Sequence, residues 1–75
     1  MGERENNVVL FDSTSGAIRG EKLAKKEGLK VKLIPVPRHL SSDCGVCLRC
    51  DAGDVELVRS ILEAARVEFE EICAL

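Results

Sequence analysis

Seventy-five residues carry 11 Lys+Arg against 13 Asp+Glu, a formal net charge of −2, and 45% of them are apolar. That describes one small domain, too apolar for a disordered chain, whose longest apolar runs (Val8 to Phe11, and Val31 to Val36 broken by Lys32) are far too short for a membrane span. Balanced charge and only two aromatic residues, both Phe, supply neither the basic stripe nor the stacking platform of a nucleic-acid binder.

Residues 1–6 read as a disordered polar tail and residues 7–75 as a single domain. The start has no apolar stretch of the secretory kind, which places the chain in the cytoplasm as an expectation. Val8 to Phe11, rich in β-branched residues, reads as a central strand buried on both faces. The cluster Asp12-Ser13-Thr14-Ser15-Gly16 then offers hydroxyls that can cap a helix from about Ser15 to Glu27, ended by Gly28. Ala17, Gly20, Glu21 and Ala24 form a narrow face of small residues on it, with Ile18 and Leu23 at its flanks. Gly20 in a helix interior costs about 1 kcal/mol against Ala, which close packing would explain.

Lys30 to Ile34 alternates as a half-buried strand ended by Pro35 and Pro37, and Val36 to Asp43 is a loop delivering the chain to Cys44. From Cys44 to Cys50 the side chains alternate again, with Cys44, Val46, Leu48 and Cys50 on one face and Cys47 and Arg49 on the other. Asp51 is placed to cap a second helix, whose stripe of Val55, Val58, Ile61, Leu62 and Ala65 runs to Arg66. Val67 to Cys73 closes the chain as a last strand. The order βαββαβ predicts an α+β, ferredoxin-like sandwich: a four-stranded antiparallel sheet with two helices on one face and the other face open. An open face bearing Val9 or Phe11, Ile34, Cys47 and Ile72 among Lys32, Arg49, Glu68 and Glu70 predicts a homodimer through it.

Cys44, Cys47 and Cys50 form C-x-x-C-x-x-C, the strongest local signal, with Cys73 and His39 as further metal-ligating side chains. Three readings compete. A Zn ion or iron–sulfur cluster held by Cys44, Cys47, Cys50 and Cys73 fits the spacing, but needs a coiled loop; a strand rising about 3.3 Å per residue would put Cys44 and Cys47 on opposite faces about 10 Å apart. A redox pair in Cys44-Gly45-Val46-Cys47 would want a helix start after the first thiol, where a strand is expected. In the third reading Cys44 alone works: it lies where the loop containing Arg38, His39, Ser41 and Ser42 meets a strand, a nearby cation favours its thiolate, and Gly45 leaves room for a persulfide-type adduct. Cys47 is then a solvent-side or interface residue, and Cys50 and Cys73 are small buried hydrophobes.

Phe11-Asp12-Ser13, Ala17, Glu21, Gly28, Ile34-Pro35-Val36-Pro37-Arg38, Cys44-Gly45 and Leu48-Arg49 together resemble the small bacterial domains known as selenium or sulfur carrier-like proteins. The likeness runs from about Val8 to Phe69, and its most specific parts are the P-V-P-R and C-G segments at this separation. It implies a carrier rather than a turnover enzyme, without a bound organic cofactor, in which Cys44 bears the chalcogen, Arg38 is its loop neighbour, and the partners are sulfur or selenium donor and acceptor proteins. Cys47 and Cys50 depart from the family's pattern. Against these readings stand plain ones: a protein-interaction domain whose cysteines only pack, a strand-initial structural Cys44, a solvated His39, a rim salt bridge from Glu21 to Arg38 or Arg49, and simple capping by Ser13 and Thr14.

Overall fold

The computed structural model describes residues 6–38, 40 and 45–74. Its elements are β1 (Asn6–Leu10), α1 (Thr14–Lys26), β2 (Lys32–Pro35), β3 (Val46–Asp51), a single 3₁₀ turn (Ala52–Asp54), α2 (Val55–Ala64) and β4 (Glu71–Ala74). The strands form one four-stranded antiparallel sheet in the order β2-β3-β1-β4. The chain is therefore α+β with two helices. No helix among the described residues is long and apolar enough to cross a membrane.

β1 lies between β3 and β4, and Val8, Val9, Leu10 and Phe11 are all buried, as an unbroken apolar run requires when both sides of a strand are covered. It begins at Asn6, because Asn6 and Asn7 pair with Asp51 and Cys50; the polar tail expected to reach residue 6 gives way to the sheet there. Alternation then divides the side chains. Val9, Phe11, Leu48 and Cys50 pack with Ala17 and Ala24 of α1 and Val58 and Leu62 of α2 in the main core. Val8, Leu10 and Cys47 form a second cluster, joined by Ile34, Val36, Leu40 and Cys73.

That second cluster corrects the expectation of an open face. Val36 and Leu40 belong to the connection between β2 and β3, and they pack over the sheet side that carries Val8 and Leu10. Val9, Phe11 and Ile72, expected as candidates for the open side, lie in or against the helix-side core instead. Cys47 is fully buried and is neither a solvent-side nor an interface residue. The apolar surface on which a homodimer was expected is thus in part occupied by the chain's own loop. The reason is economy of apolar area: a run of four large apolar residues along β1 and the residue after it needs cover on both faces, and a nearby loop with Val36 and Leu40 can provide it.

Helix α1 starts at Thr14. The Ser13 hydroxyl accepts from the Gly16 N–H at 3.1 Å, as the hydroxyl cluster predicts. Ala17, Gly20 and Ala24 are its buried face, whereas Ile18 is exposed. A Cβ on Gly20 would lie 3.0 Å from Leu62 Cδ2 and 3.1 Å from Phe11 Cζ, so the small residue lets α1 meet β1 and α2 closely. Glu21 pairs with Lys25 at 3.3 Å on its own helix, rather than with Arg38 or Arg49. The second helix opens differently from expectation: Asp51 ends β3, the 3₁₀ turn intervenes, and neither Asp51 nor Asp54 makes a side-chain cap bond.

Both helices close with the same device. After α1, the Gly28 N–H donates to the Lys25 carbonyl and the Leu29 N–H to that of Ala24; after α2, Arg66 and Val67 donate to Glu63 and Leu62. Each turn needs a left-handed residue, which is Gly28 at φ 86° in the first and Arg66 at φ 59° in the second. A side chain pays a steric penalty there that glycine does not. Arg66→Gly is expected to stabilise the fold by about 0.5–1 kcal/mol, after the extra freedom of glycine in the unfolded chain is subtracted. A urea titration checks it: a raised midpoint is expected, and a lowered one would mean that the Arg66 side chain holds more than the turn costs.

That turn also explains why the last strand is shorter than expected. Val67 is buried and Phe69 packs against the helix-side core as irregular chain, and the Glu70 N–H donates to the Leu10 carbonyl at 2.6 Å before β4 starts at Glu71. Glu68 and Glu70, expected on the open face, precede the strand.

Candidate functional site

The connection between β2 and β3 begins where Pro35 ends β2, since a residue without an N–H cannot continue the ladder. The Val36 N–H donates to the Gly45 carbonyl at 3.2 Å, which closes the loop at its base, and the Leu40 N–H donates to the Pro37 carbonyl at 3.0 Å around a turn containing Arg38. Arg38 is exposed, whereas Val36 and Leu40 are half-buried against the second cluster. Gly45 has φ 81° and no atom near its would-be Cβ, so the extended run of β3 starts only at Val46. The alternation expected from Cys44 onward therefore holds from Val46 to Cys50. Cys44 itself, with His39, Ser41 and Ser42, lies outside the described residues.

Three thiols are described, and none is in a disulfide. Cys50 is buried in the helix-side core, and burial, with Asp54 and Asp51 nearby, pushes its thiol up to about 11. Cys73, half-buried on β4, donates to Glu71 Oε2 at 2.8 Å; that hydrogen bond, then burial and the adjacent negative charge, push it up to about 11 as well. Cys47 is fully buried and points its thiol at the Pro35 carbonyl, 4.0 Å away. Cys50 and Cys73 are thus held as protonated thiols near neutrality, and Cys47 is closed off from solvent, so none of the three is set up as a nucleophile.

The same geometry bears on the metal reading. Cys47 belongs to the cluster that includes Cys73, and Cys50 to the core on the other side of the sheet. An intact β3 keeps Cys47 and Cys50 from closing on one ion, and the described residues contain no group of three His, Cys, Asp or Glu able to hold one. The argument from strand geometry does not extend to Cys44, because Gly45 breaks the strand before it.

Two features escaped the sequence. Glu71 is the hydrogen-bond partner that sets the Cys73 thiol, a pairing signalled only by the i, i+2 spacing of a strand. A cleft at the far end of the sheet collects four basic side chains from three segments, and their separation in sequence hides it.

The model of the family described as "Putative Se/S carrier protein-like" matches residues 6–74, from the first residue of β1 to the last of β4. No curated protein and no solved structure matches the chain.

Proposed function

The chain belongs to the Se/S carrier-like family, and from that premise we propose that it carries sulfur or selenium as a persulfide-type adduct on Cys44. In the loading step, the Cys44 thiolate attacks the terminal chalcogen of a donor's persulfide or selenopersulfide. The donor's bond to that atom breaks, the donor leaves as thiolate, and a new bond forms to Cys44. An acceptor nucleophile takes the atom by the same exchange, so the pair of transfers needs no external oxidant or reductant. The protein is a carrier between donor and acceptor proteins in the cytoplasm, without catalytic turnover or an organic cofactor. Arg38, on the loop that leads toward Cys44, supplies the cation that favours its thiolate.

The observation that carries this reading is the contrast among the thiols: Cys50 and Cys73 are pushed up to about 11 and Cys47 is buried, which leaves Cys44 for the chemistry the family's description names. The ferredoxin-like assignment belongs to the same proposal. It is supported by the order β2-β3-β1-β4, by hairpin pairing of β2 with β3, and by the packing of both helices into one core. Such an arrangement puts the loop between two adjacent strands at one end of a rigid sheet.

Incubation with a low-molecular-weight persulfide, followed by intact-mass and peptide mapping without reductant, tests the function. One added sulfur on the peptide containing Cys44, lost in Cys44→Ser and reduced in Arg38→Gln, is the expected result. Loading at Cys47, Cys50 or Cys73, or loading that survives in Cys44→Ser, overturns the assignment.

A further inference from the structure

At the end of the sheet away from the Val36–Gly45 loop, where β1 and β2 begin and β3 ends, lies a cleft of about 510 Å³. Lys25 comes to it from the last turns of α1, Lys30 and Lys32 from the start of β2 and its approach, and Arg49 from β3. Asp51 is the carboxylate among the lining residues, and Cys50 closes the inner wall. Four cations against one carboxylate leave the cleft at +3 in a chain whose total is −2, so the remainder carries −5. Charge this unevenly divided attracts anions to one place rather than to the surface at large.

The pairing of the strands sharpens the point. Lys32 stands directly opposite Arg49 in the β2–β3 register, and both are exposed. Like charges at opposed positions of an antiparallel pair destabilise the sheet, and an anion lying between them removes that repulsion. Lys25 is held on Glu21 at 3.3 Å, which leaves Lys30, Lys32 and Arg49 as the principal donors. Lys32 and Arg49 share the sheet face away from the helices, by the alternation that puts Cys47 there, and a guanidinium beside an ammonium group suits the oxygens of a phosphate group. The volume is within the range of small-molecule sites and well above what a single tetrahedral oxyanion fills.

We infer that this cleft binds a small molecule bearing two phosphate-type groups, with Lys32 and Arg49 clamping one group and Lys30 reaching the other. The inference rests on none of the carrier chemistry.

Inorganic pyrophosphate is the probe, titrated into isotopically labelled full-length protein at constant ionic strength with chloride as the reference anion. Saturable shifts confined to residues 25–32 and 49–51 are expected, with orthophosphate binding at least about tenfold more weakly than pyrophosphate. Lys32→Gln and Arg49→Gln should each weaken pyrophosphate by about tenfold or more. Their urea midpoints without ligand should be unchanged or raised, because the like-charge contact is gone. Lys22→Gln, an exposed α1 lysine outside the cleft, and Cys44→Ser should bind as the parent does. Shifts that fail to saturate, that spread over the lysines generally, or that weaken equally in Lys22→Gln overturn the inference. A loss of binding in Lys32→Gln accompanied by a lowered urea midpoint overturns it too, since that would be damage to the fold.

Discussion

Phe11→Ala is expected to leave little folded protein. Phe11 is fully buried at the end of β1, under α1, and truncating a buried Phe costs about 3–5 kcal/mol in lost transfer energy and cavity. A domain of this length has a total stability of about 5 kcal/mol, so the variant sits at the edge of unfolding, and far-UV circular dichroism with a urea titration reads the outcome directly. The milder Phe11→Leu gives a folded background in which the packing itself can be tested. Gly20→Ala in the parent sets about 1 kcal/mol of helix propensity against a Cβ placed 3.0 Å from Leu62 Cδ2 and 3.1 Å from Phe11 Cζ, and should come out near neutral. With Phe11→Leu the ring contact is gone while the one to Leu62 stays, so the same substitution should come out about 0.5 kcal/mol more favourable than in the parent, a coupling that a double-mutant cycle reads. Strict additivity of the two changes would show that α1 does not rest on the Phe11 ring at Gly20.

Glu71→Gln should speed alkylation of Cys73 by about tenfold at pH 8. With its thiol pushed up to about 11, Cys73 exposes about one thiolate in a thousand at that pH, against about one in ten for a thiol at its ordinary value of about 9. Removing the carboxylate takes away the first-named cause of the rise, and the gain in thiolate approaches a hundredfold. Part of it is returned, because a thiolate of lower pKa is a weaker nucleophile, and about tenfold remains. The sign with pH follows: in the parent the Cys73 rate keeps climbing through pH 9 and levels only near 11, whereas in Glu71→Gln it levels earlier. Peptide-resolved iodoacetamide kinetics between pH 7 and 11 check this, with Glu70→Gln as a control that should change nothing. A Cys73 rate indifferent to Glu71 would mean that the 2.8 Å contact does not hold the thiol. For the carrier reading the consequence is practical. Cys73 is the one described thiol that is not buried, and Glu71 keeps it from competing with Cys44 for an incoming chalcogen.

The alternation of β3 shows how far residue order alone can be read. Val46, Leu48 and Cys50 do face the helices and Cys47 does face away, because a pleated strand has no other way to place consecutive side chains. Ser13 as the cap of α1, Gly28 as its stop, and Gly20 as a close-packing residue were equally legible, each being a local requirement met by a residue type suited to it. The family was legible too, through Pro35-Val36-Pro37-Arg38 and Cys44-Gly45. What failed was the expectation of an open sheet face and the choice of Val9, Phe11, Cys47 and Ile72 to carry it. Val8 to Phe11 already implied cover on both sides of β1, and an open face was inconsistent with it; nothing local to Val36 or Leu40 says that their loop provides that cover.

The amino-acid sequence by itself thus determined the order of the elements, the alternation within β3, the cap and stop of α1 and the family, because these depend on contacts within a few residues or on short motifs. Only the tertiary structure decided that Cys47 is buried on the far side of the sheet from Cys50, that Glu71 holds the Cys73 proton, and that Lys32 faces Arg49 across two strands at the mouth of a basic cleft. The first and last of these come from pairing and packing between residues distant along the chain. The Cys73–Glu71 bond is local in sequence, and what the structure adds is the rotamers that bring the two side chains on one face of β4 to 2.8 Å.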